Sequence, residues 1–385
     1  MSQLVLVPFD SQRTALILPP LEIGPLPNSI GWMKFRVRPG ATVQVAQVAQ
    51  VQISPRLKEP LYYLENGEKL VVTRRRRVPR PSEADGVLRE FEDGRLEWLT
   101  HKQTESIQKH AATDGWAAVV ADIAMRWSGQ FNFRAETPNP DGTLSPGGEG
   151  LRPPQLGALH AIGAHWSLSH APATVVMPTG TGKTETMLAA LAAYVRKPLL
   201  VAVPSDVLRS QTARKFLTFG LLQQLGVLSA SAPNPIVGVV TRRPRELTDL
   251  EIFTQCNVVI GTMSALAGGE AASFAREIAQ RVGFLFVDEA HHIGADGWAA
   301  FRDAFSDKPI MQFTATPFRR DGKIVDGQVI YNYPLRKAQQ DGYFKKISFE
   351  PTYEVESRSR KSAQDAKWSF CLTAGTLCPA NQERP

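Results

Sequence analysis

Cysteine is scarce in this chain, with three in 385 residues: Cys256, Cys371 and Cys378. Their number and spacing exclude a disulfide framework and a cysteine-based metal site, and they suit a reducing, cytoplasmic setting. No run approaches the roughly 20 apolar residues that a membrane-spanning helix needs, so no membrane partner is expected. The opening MSQLVLVPFDSQ lacks the basic segment and long apolar core of a secretory signal. No internal repeat is visible, and no paired-carboxylate-plus-lysine pattern of a nuclease is evident.

What remains has the composition of a globular protein, 43% apolar and 21% charged, over a length that suggests two or three domains. The formal charge is +7, which makes a polyanionic partner plausible. Residues 1–150 hold 18 Lys and Arg against 17 Asp and Glu; residues 151–385 hold 26 against 20. The basic excess therefore lies mostly in the second part.

Residues 1–134 read as a smaller accessory α+β domain of no nameable chemistry. Short β-rich runs at 4–7, 15–18, 33–37 and 42–53 are punctuated by Pro19-Pro20, Pro25, Pro27 and Pro39-Gly40. Asn66-Gly67 between runs 61–64 and 69–73 is a strong hairpin signal. Residues 97–109 and 116–127 look helical. Arg74-Arg75-Arg76-Arg77 can either bind phosphates or keep a strand edge solvated and unpaired. The near-neutral charge of the region favours the second. Residues 135–150, AETPNPDGTLSPGGEG, read as a linker.

From residue 151 the texture changes to alternating strands and helices. Strands are expected at 174–177, 199–203, 236–240, 258–260, 284–287 and 311–313, with helices at 155–166, 184–195, 206–219 and 271–282. Continuous apolar runs such as LLVAV and FLFV suit strands buried on both faces, and the alternation predicts a parallel sheet with helices on both faces. Within it, VVMPTGTGKTET runs from a strand through a glycine loop into a helix. Gly180 and Gly182 allow positive φ and close backbone approach. The loop of Thr179, Gly180, Thr181 and Gly182 and the helix N-terminus face an anion. Lys183 can reach β- and γ-phosphates, and the Thr184 hydroxyl can ligate Mg²⁺. Met177 stands where the first glycine of this pattern is usual. Further on, FLFVDEAH delivers Asp288 and Glu289 at the end of an apolar strand. Two adjacent buried acids imply a cation, with Asp288 holding Mg²⁺ and Glu289 activating water.

These residues carry a resemblance. Residues 155–343 resemble the first RecA-like motor domain of superfamily-two helicases and translocases. Asp288-Glu289-Ala290-His291 resembles the DEAH box. Thr314-Ala315-Thr316-Pro317 with Phe318-Arg319-Arg320-Asp321-Gly322 resembles the third motif in the form found in type III restriction and repair-helicase branches. The resemblance implies a P-loop ATP hydrolase using ATP and Mg²⁺. It implies that Gln155 reads adenine, that His291, Thr314 and Thr316 couple the nucleotide to nucleic acid, and that Pro204, Ser205, Arg209, Gly261 and Thr262 touch its backbone. Duplex DNA is the expected partner. The motor domain is expected over 151–345. Residues 346–385 read as a tail or the start of a second motor domain that the sequence does not contain, so the chain resembles a helicase cut off early. Such a chain either hydrolyses ATP, or binds ATP and DNA with little turnover alone, or serves in a restriction assembly whose partner supplies nuclease or the second motor half.

Overall fold

A computed structural model describes residues 13–343 except 140, 142, 293–299 and 319–323. The expected strand at 4–7, residues 319–322 of the third motif and the tail at 346–385 lie outside the described residues.

Two sheets organise the fold. The first has the order β1-β4-β5-β6-β7-β8. Its strands are β1 (Ala15–Leu18), β4 (Ala41–Ser54), β5 (Leu57–Leu64), β6 (Lys69–Thr73), β7 (Gly86–Glu90) and β8 (Leu96–His101). Between β1 and β4 come β2 (Leu21–Asn28) and β3 (Gly31–Arg38), which belong to the second sheet. The Asn66-Gly67 turn closes the β5–β6 hairpin as the sequence predicts. The two outer strands approach one another: Arg13 pairs with Glu90, and Trp98 Nε1 donates to the Pro19 carbonyl at 2.9 Å. The sheet thus curls toward a barrel around Leu16, Leu18, Leu64, Leu70, Val72 and Leu88. Residues 97–109 are not one helix. Leu96–His101 forms β8, antiparallel to β7, and α1 (Lys102–Asp114) starts only after it. Cross-strand pairing of Trp98 with Leu88 overrides local helical patterning. A second helix, α2 (Trp116–Met125), follows directly.

The second sheet has nine strands, in the order β15-β9-β14-β13-β10-β12-β11-β3-β2. After α3 (Pro153–Leu168) come β9 (Ala173–Val176), α4 (Lys183–Tyr194), β10 (Leu199–Val203), α5 (Asp206–Phe216), β11 (Ile236–Val240) and β12 (Val258–Thr262). Then follow α6 (Met263–Ala267), α7 (Ala275–Arg281), β13 (Phe284–Asp288), β14 (Ile310–Thr314), β15 (Gln328–Asn332) and α8 (Leu335–Gln340). Strands β9 to β15 pair in parallel. Every residue of β10, β11, β12 and β14 is buried, which is why β10 and β11 read as unbroken apolar runs. Cys256 is also buried, and burial pushes its thiol up, so it behaves as a packing residue.

The boundary expected at residue 134 needs correction. Strands β2 and β3 extend the parallel sheet, with β3 antiparallel to β11 through Phe35↔Ile236 and Gly31↔Val240. Ile23, Met33, Phe35, Val119, Val120 and Trp127 share one core with the parallel strands. A Cβ on Gly31 would lie 1.8 Å from the Val239 carbonyl oxygen, so glycine permits that pairing. Pro25 and Pro27 do not separate strands but sit inside β2, the outermost strand, where a missing N–H costs little. The accessory unit proper is therefore the curled sheet.

That sheet is fastened to the edge of the larger one by Glu68. Arg38 Nη1 at the end of β3 donates to Glu68 Oε1 at 2.6 Å, and His101 Nε2 lies 3.1 Å from the same oxygen. Burial alone raises the Glu68 carboxyl, but the hydrogen bonds from His101 and Arg38 outweigh it and hold the pKa at about 2. A depressed carboxyl stabilises the fold above its unfolded pKa, and the gain is lost as pH falls toward 2. Glu68→Gln should therefore cost on the order of 2 kcal/mol at pH 7. In urea unfolding the difference from wild type should shrink steadily below pH 4.5; a constant difference would assign it to packing instead.

Candidate nucleotide site

All parallel strands end at one edge of the sheet, and the chemistry-bearing residues collect there, as open α/β sheets require. The loop between β9 and α4 holds Gly180 at φ +89° and Gly182 at φ +95°, a conformation that side chains resist. Thr181 is buried, and its hydroxyl donates to the Pro178 carbonyl at 2.7 Å, fixing the loop. Among the described residues the N–H groups of Gly180, Gly182, Lys183 and Thr184 meet no acceptor. Four unsatisfied donors at a helix start make an anion cradle. Met177 fits at the usual glycine position because its side chain turns into the core. Its N–H donates to the Thr314 carbonyl at 2.9 Å, and its own carbonyl accepts from Lys183 Nζ at 3.4 Å.

Lys183 is 7% exposed and pairs with Glu289 Oε1 at 3.0 Å. Glu289 adopts φ +49°, one of two non-glycine residues with positive φ among those described. Such a backbone is stored strain that recurs at working sites. Glu289 N–H donates to Asp288 Oδ1 at 3.0 Å. Asp288 is 5% exposed. Burial first, then the neighbouring Glu289 charge, push its pKa up to about 6, against the opposing pull of Lys183. Glu289 Oε2 is buried without a hydrogen-bond partner. An acceptor of this kind is costly unless a water or a cation completes it.

Behind the acids runs a polar chain. Thr314 Oγ1 donates to the Thr316 carbonyl at 2.7 Å and accepts the Thr316 N–H at 3.3 Å. His291 Nδ1 lies 3.0 Å from the same Thr314 oxygen and 3.4 Å from Glu289 Oε2. Because the Thr314 proton points to Thr316, Nδ1 carries a proton toward Thr314 and Glu289. The three coupling residues expected from the sequence thus meet, through His291, at Glu289.

Gln155 stands on α3 against the loop. Its Oε1 accepts the Arg152 N–H at 2.8 Å, and a Cβ on Gly182 would sit 1.9 Å from its Nε2. Gln155 therefore braces the loop, and Gly182 is the residue that lets it do so. Arg152 is not among the residues expected from the sequence. Its guanidinium lies 5.3 Å from the centre of the Tyr343 ring and 3.5 Å from the Gly180 carbonyl. Tyr343 in turn donates to Glu136 Oε1 at 3.2 Å. Arg152 opens the segment that contains Gln155, and that adjacency is the signal the sequence holds.

Pro204, Ser205, Gly261 and Thr262 also lie at this edge, since Val203 pairs with Thr262 across adjacent strands. Ser205 caps α5 by accepting the Leu208 N–H, and Thr262 caps α6 by accepting the Ala265 N–H. Gly261 has a packing reason as well: a Cβ there would press on Leu266 at 2.9 Å. Arg209 is turned inward. It pairs with Asp206 at 2.7 Å and donates to the Val240 carbonyl at 3.2 Å.

Do these groups fit Mg²⁺ and a nucleotide? Among the described residues no group of three or more His, Cys, Asp or Glu forms a metal cage. Mg²⁺ does not need one, because it binds through one or two protein oxygens plus phosphate and water. Thr184, with a hydroxyl free of hydrogen bonds among the described residues, and Asp288 are the oxygens that would supply such a pair. The free amides and the buried Lys183 cation complete the fit. Among the described residues no helix is long and apolar enough to cross a membrane.

Residues 149–319 match the family described as "Type III restriction enzyme, res subunit". The chain is 23% identical over 199 residues to the DNA 3'-5' translocase XPB2 of Sulfurisphaera tokodaii; the match takes in 50% of this chain and 38% of that protein. The chain thus spans well under half the length of this relative. Similar solved structures include a nuclease-deletion mutant of the Type ISP restriction-modification enzyme LlaGI in complex with a DNA substrate mimic. That match has a TM-score of 0.34 at 18% identity, over 51% of this chain and 21% of that one. The UvsW helicase of bacteriophage T4 matches with a TM-score of 0.32 at 15% identity, over 60% of this chain and 78% of that one.

Proposed function

We propose that this chain, whose residues 149–319 match the res-subunit family of type III restriction enzymes, carries the first motor domain of a superfamily-two helicase, binds Mg²⁺-ATP and hydrolyses it to drive a DNA translocase. One observation carries the reading: Lys183 and the Glu289 carboxylate pair at 3.0 Å beneath a ring of free loop amides, with Glu289 linked to Thr314 through His291.

Each residue then has a task. The loop amides and Lys183 take up phosphate charge. When phosphate oxygens take Lys183, its pairing with Glu289 loosens, and the carboxylate is freed to accept a proton from water. Bound Mg²⁺, held by Thr184 and Asp288, supplies charge neutralisation to the phosphates. His291 holds Glu289 in place through its Nδ1 proton. Thr314 passes the position of that pair to Thr316 and the loop beyond. Gln155 and Arg152 border the place for the base, Gln155 as the adenine reader. The turns that leave β10 and β12, at Pro204-Ser205 and just past Gly261-Thr262, are the place where a DNA backbone would lie, with the exposed Ser205 hydroxyl and N–H as donors, a contact that positions without reading sequence. Arg209 would join them only after leaving Asp206.

A second reading, a motor subunit whose protein partner supplies nuclease chemistry in the cytoplasm, is favoured by the family's own description as a subunit. Steady-state ATPase assays with and without duplex DNA test the main reading. Turnover should rise with duplex DNA, and Lys183→Ala should lower it by roughly a hundredfold or more while leaving the fold intact. Equal turnover in Lys183→Ala and wild type would end the proposal.

A further inference from the structure

The four consecutive arginines of residues 74–77 have no part in the nucleotide site. The sequence offers them as a device that protects a strand edge. The sheet order removes that explanation, because β6 lies between β5 and β7 and has no free edge. The run leaves the end of an interior strand, and all four residues are exposed.

Register shows what surrounds them. Thr73 pairs with Arg89, which sets Arg74 beside Glu90, and Thr73 Oγ1 donates to Glu59 at 2.9 Å. The rim at this end therefore combines the β4–β5 turn, the arginine run and the turn after β7. Arg74 and Arg75 have loose partners, Glu90 at 3.8 Å and Glu59 at 3.3 Å, and remain 87% and 61% exposed. Arg76 and Arg77 have no ion pair among the described residues. Close by, the Phe91 ring has the Arg89 and Arg95 guanidiniums 4.4 and 4.8 Å from its centre.

This rim belongs to the curled sheet, whereas the nucleotide site belongs to the larger one. Glu68 fastens the near end of β6 to Arg38, and Arg38 lies beside the starting ends of the parallel strands because β3 runs antiparallel to β11. Arg74 is six residues further along an extended strand, roughly 20 Å away. The phosphate-binding edge of the large sheet is at the opposite ends of those strands.

We infer that the rim centred on Arg74–Arg77 is a second nucleic-acid contact, which holds the phosphate backbone at a place the motor edge does not reach. The inference rests on the reading of the chain as a DNA-directed motor. Arginine rather than lysine is what such a contact needs, since its planar fork grips phosphate oxygens in pairs. Like charges crowded on an interior strand end repel one another in the free protein, and phosphates relieve that repulsion.

The test is anisotropy of a labelled DNA duplex titrated with the full chain, without nucleotide, across a sodium chloride series. Arg76→Glu combined with Arg77→Glu should weaken binding about tenfold or more and make the slope of log K against log salt shallower by about 1.8, two phosphates' worth. Arg76→Lys with Arg77→Lys should keep most of the slope. Unchanged affinity and slope in the glutamate variant, at an unchanged melting temperature, would overturn the inference. If that variant melts early, Arg76→Gln with Arg77→Gln takes its place under the same criteria. Polyglutamate displacing the duplex as readily as heparin would overturn the phosphate assignment. Failure of the parent reading looks different. A rim-dependent slope without DNA-stimulated ATPase sinks the motor and leaves the rim. Stimulated ATPase with a neutral rim sinks only the rim, and a wild-type chain that ignores duplex DNA sinks both.

Discussion

Glu289→Gln should keep ATP binding and lose hydrolysis by a factor of about 10² to 10⁴, the range that a positioned general base contributes. The wild-type carboxylate competes for the Lys183 ammonium at 3.0 Å, and a nucleotide must displace it. An amide oxygen still accepts a hydrogen bond but carries no charge, so phosphate takes Lys183 at lower cost. Affinity for ATP should therefore hold or improve. What the amide cannot do is take a proton, the task the carboxylate has once phosphate draws Lys183 away from it. Glutamine also preserves the length that reaches His291 and tolerates the positive φ no worse than glutamate. Nucleotide titration by fluorescence, paired with single-turnover hydrolysis, separates the two effects. Parallel loss of binding and turnover would mean that Glu289 serves the site by shape. Full turnover in the glutamine variant would place the base elsewhere.

Much of this site is legible in the sequence, for a physical reason. A parallel strand buried on both faces is an apolar run, and the residue after it emerges at the functional edge. Val175–Val176 therefore announces the glycine loop, Phe284–Val287 announces Asp288, and the burial of both strands bears this out. Lys183, Asp288 and Glu289 can be placed together before any coordinates are known. What sequence leaves hidden is non-local. Strands β2 and β3 join a sheet whose next strand, β11, begins about two hundred residues later, and no local pattern encodes that pairing. The prolines of β2 look like breaks because their tolerance depends on the strand being outermost. Residues 96–101 carry a Trp, a Leu and a Thr that pair across β7, but they run without a break into α1, so local pattern assigns them to the helix. The direction of Arg209 is equally hidden, since Asp206 and the Val240 carbonyl claim it only once α5 has packed beside β11.

Asp288→Asn should make the nucleotide-free protein more stable at pH 8 and unable to use Mg²⁺. Burial and the Glu289 charge hold the Asp288 pKa at about 6, against an ordinary 3.8 for aspartate. The folded state thus binds the proton more tightly than the unfolded chain, so stability falls as pH rises through this window and stays lower above it. A tenfold change in proton affinity is worth about 1.4 kcal/mol, so the ionised carboxyl costs the fold about 3 kcal/mol at pH 8. Asparagine keeps the Oδ1 that accepts the Glu289 N–H at 3.0 Å and removes the charge. In thermal melts without nucleotide the variant should gain roughly 5–10 °C at pH 8. The gain should fade as pH drops through 6 and vanish below 4, where aspartic acid is neutral in both states. Adding Mg²⁺-ATP should reverse the order, because a ligand that binds only the folded state raises the wild-type midpoint by mass action and leaves the variant behind. A variant less stable than wild type at pH 8, or a gain that persists at pH 4, would show that the Asp288 charge is already compensated. Mg²⁺-ATP stabilisation equal in the two proteins would remove Asp288 from the metal. The same strain is what makes the site receptive: a carboxylate that is costly when uncompensated binds a cation more readily than one already satisfied by the fold.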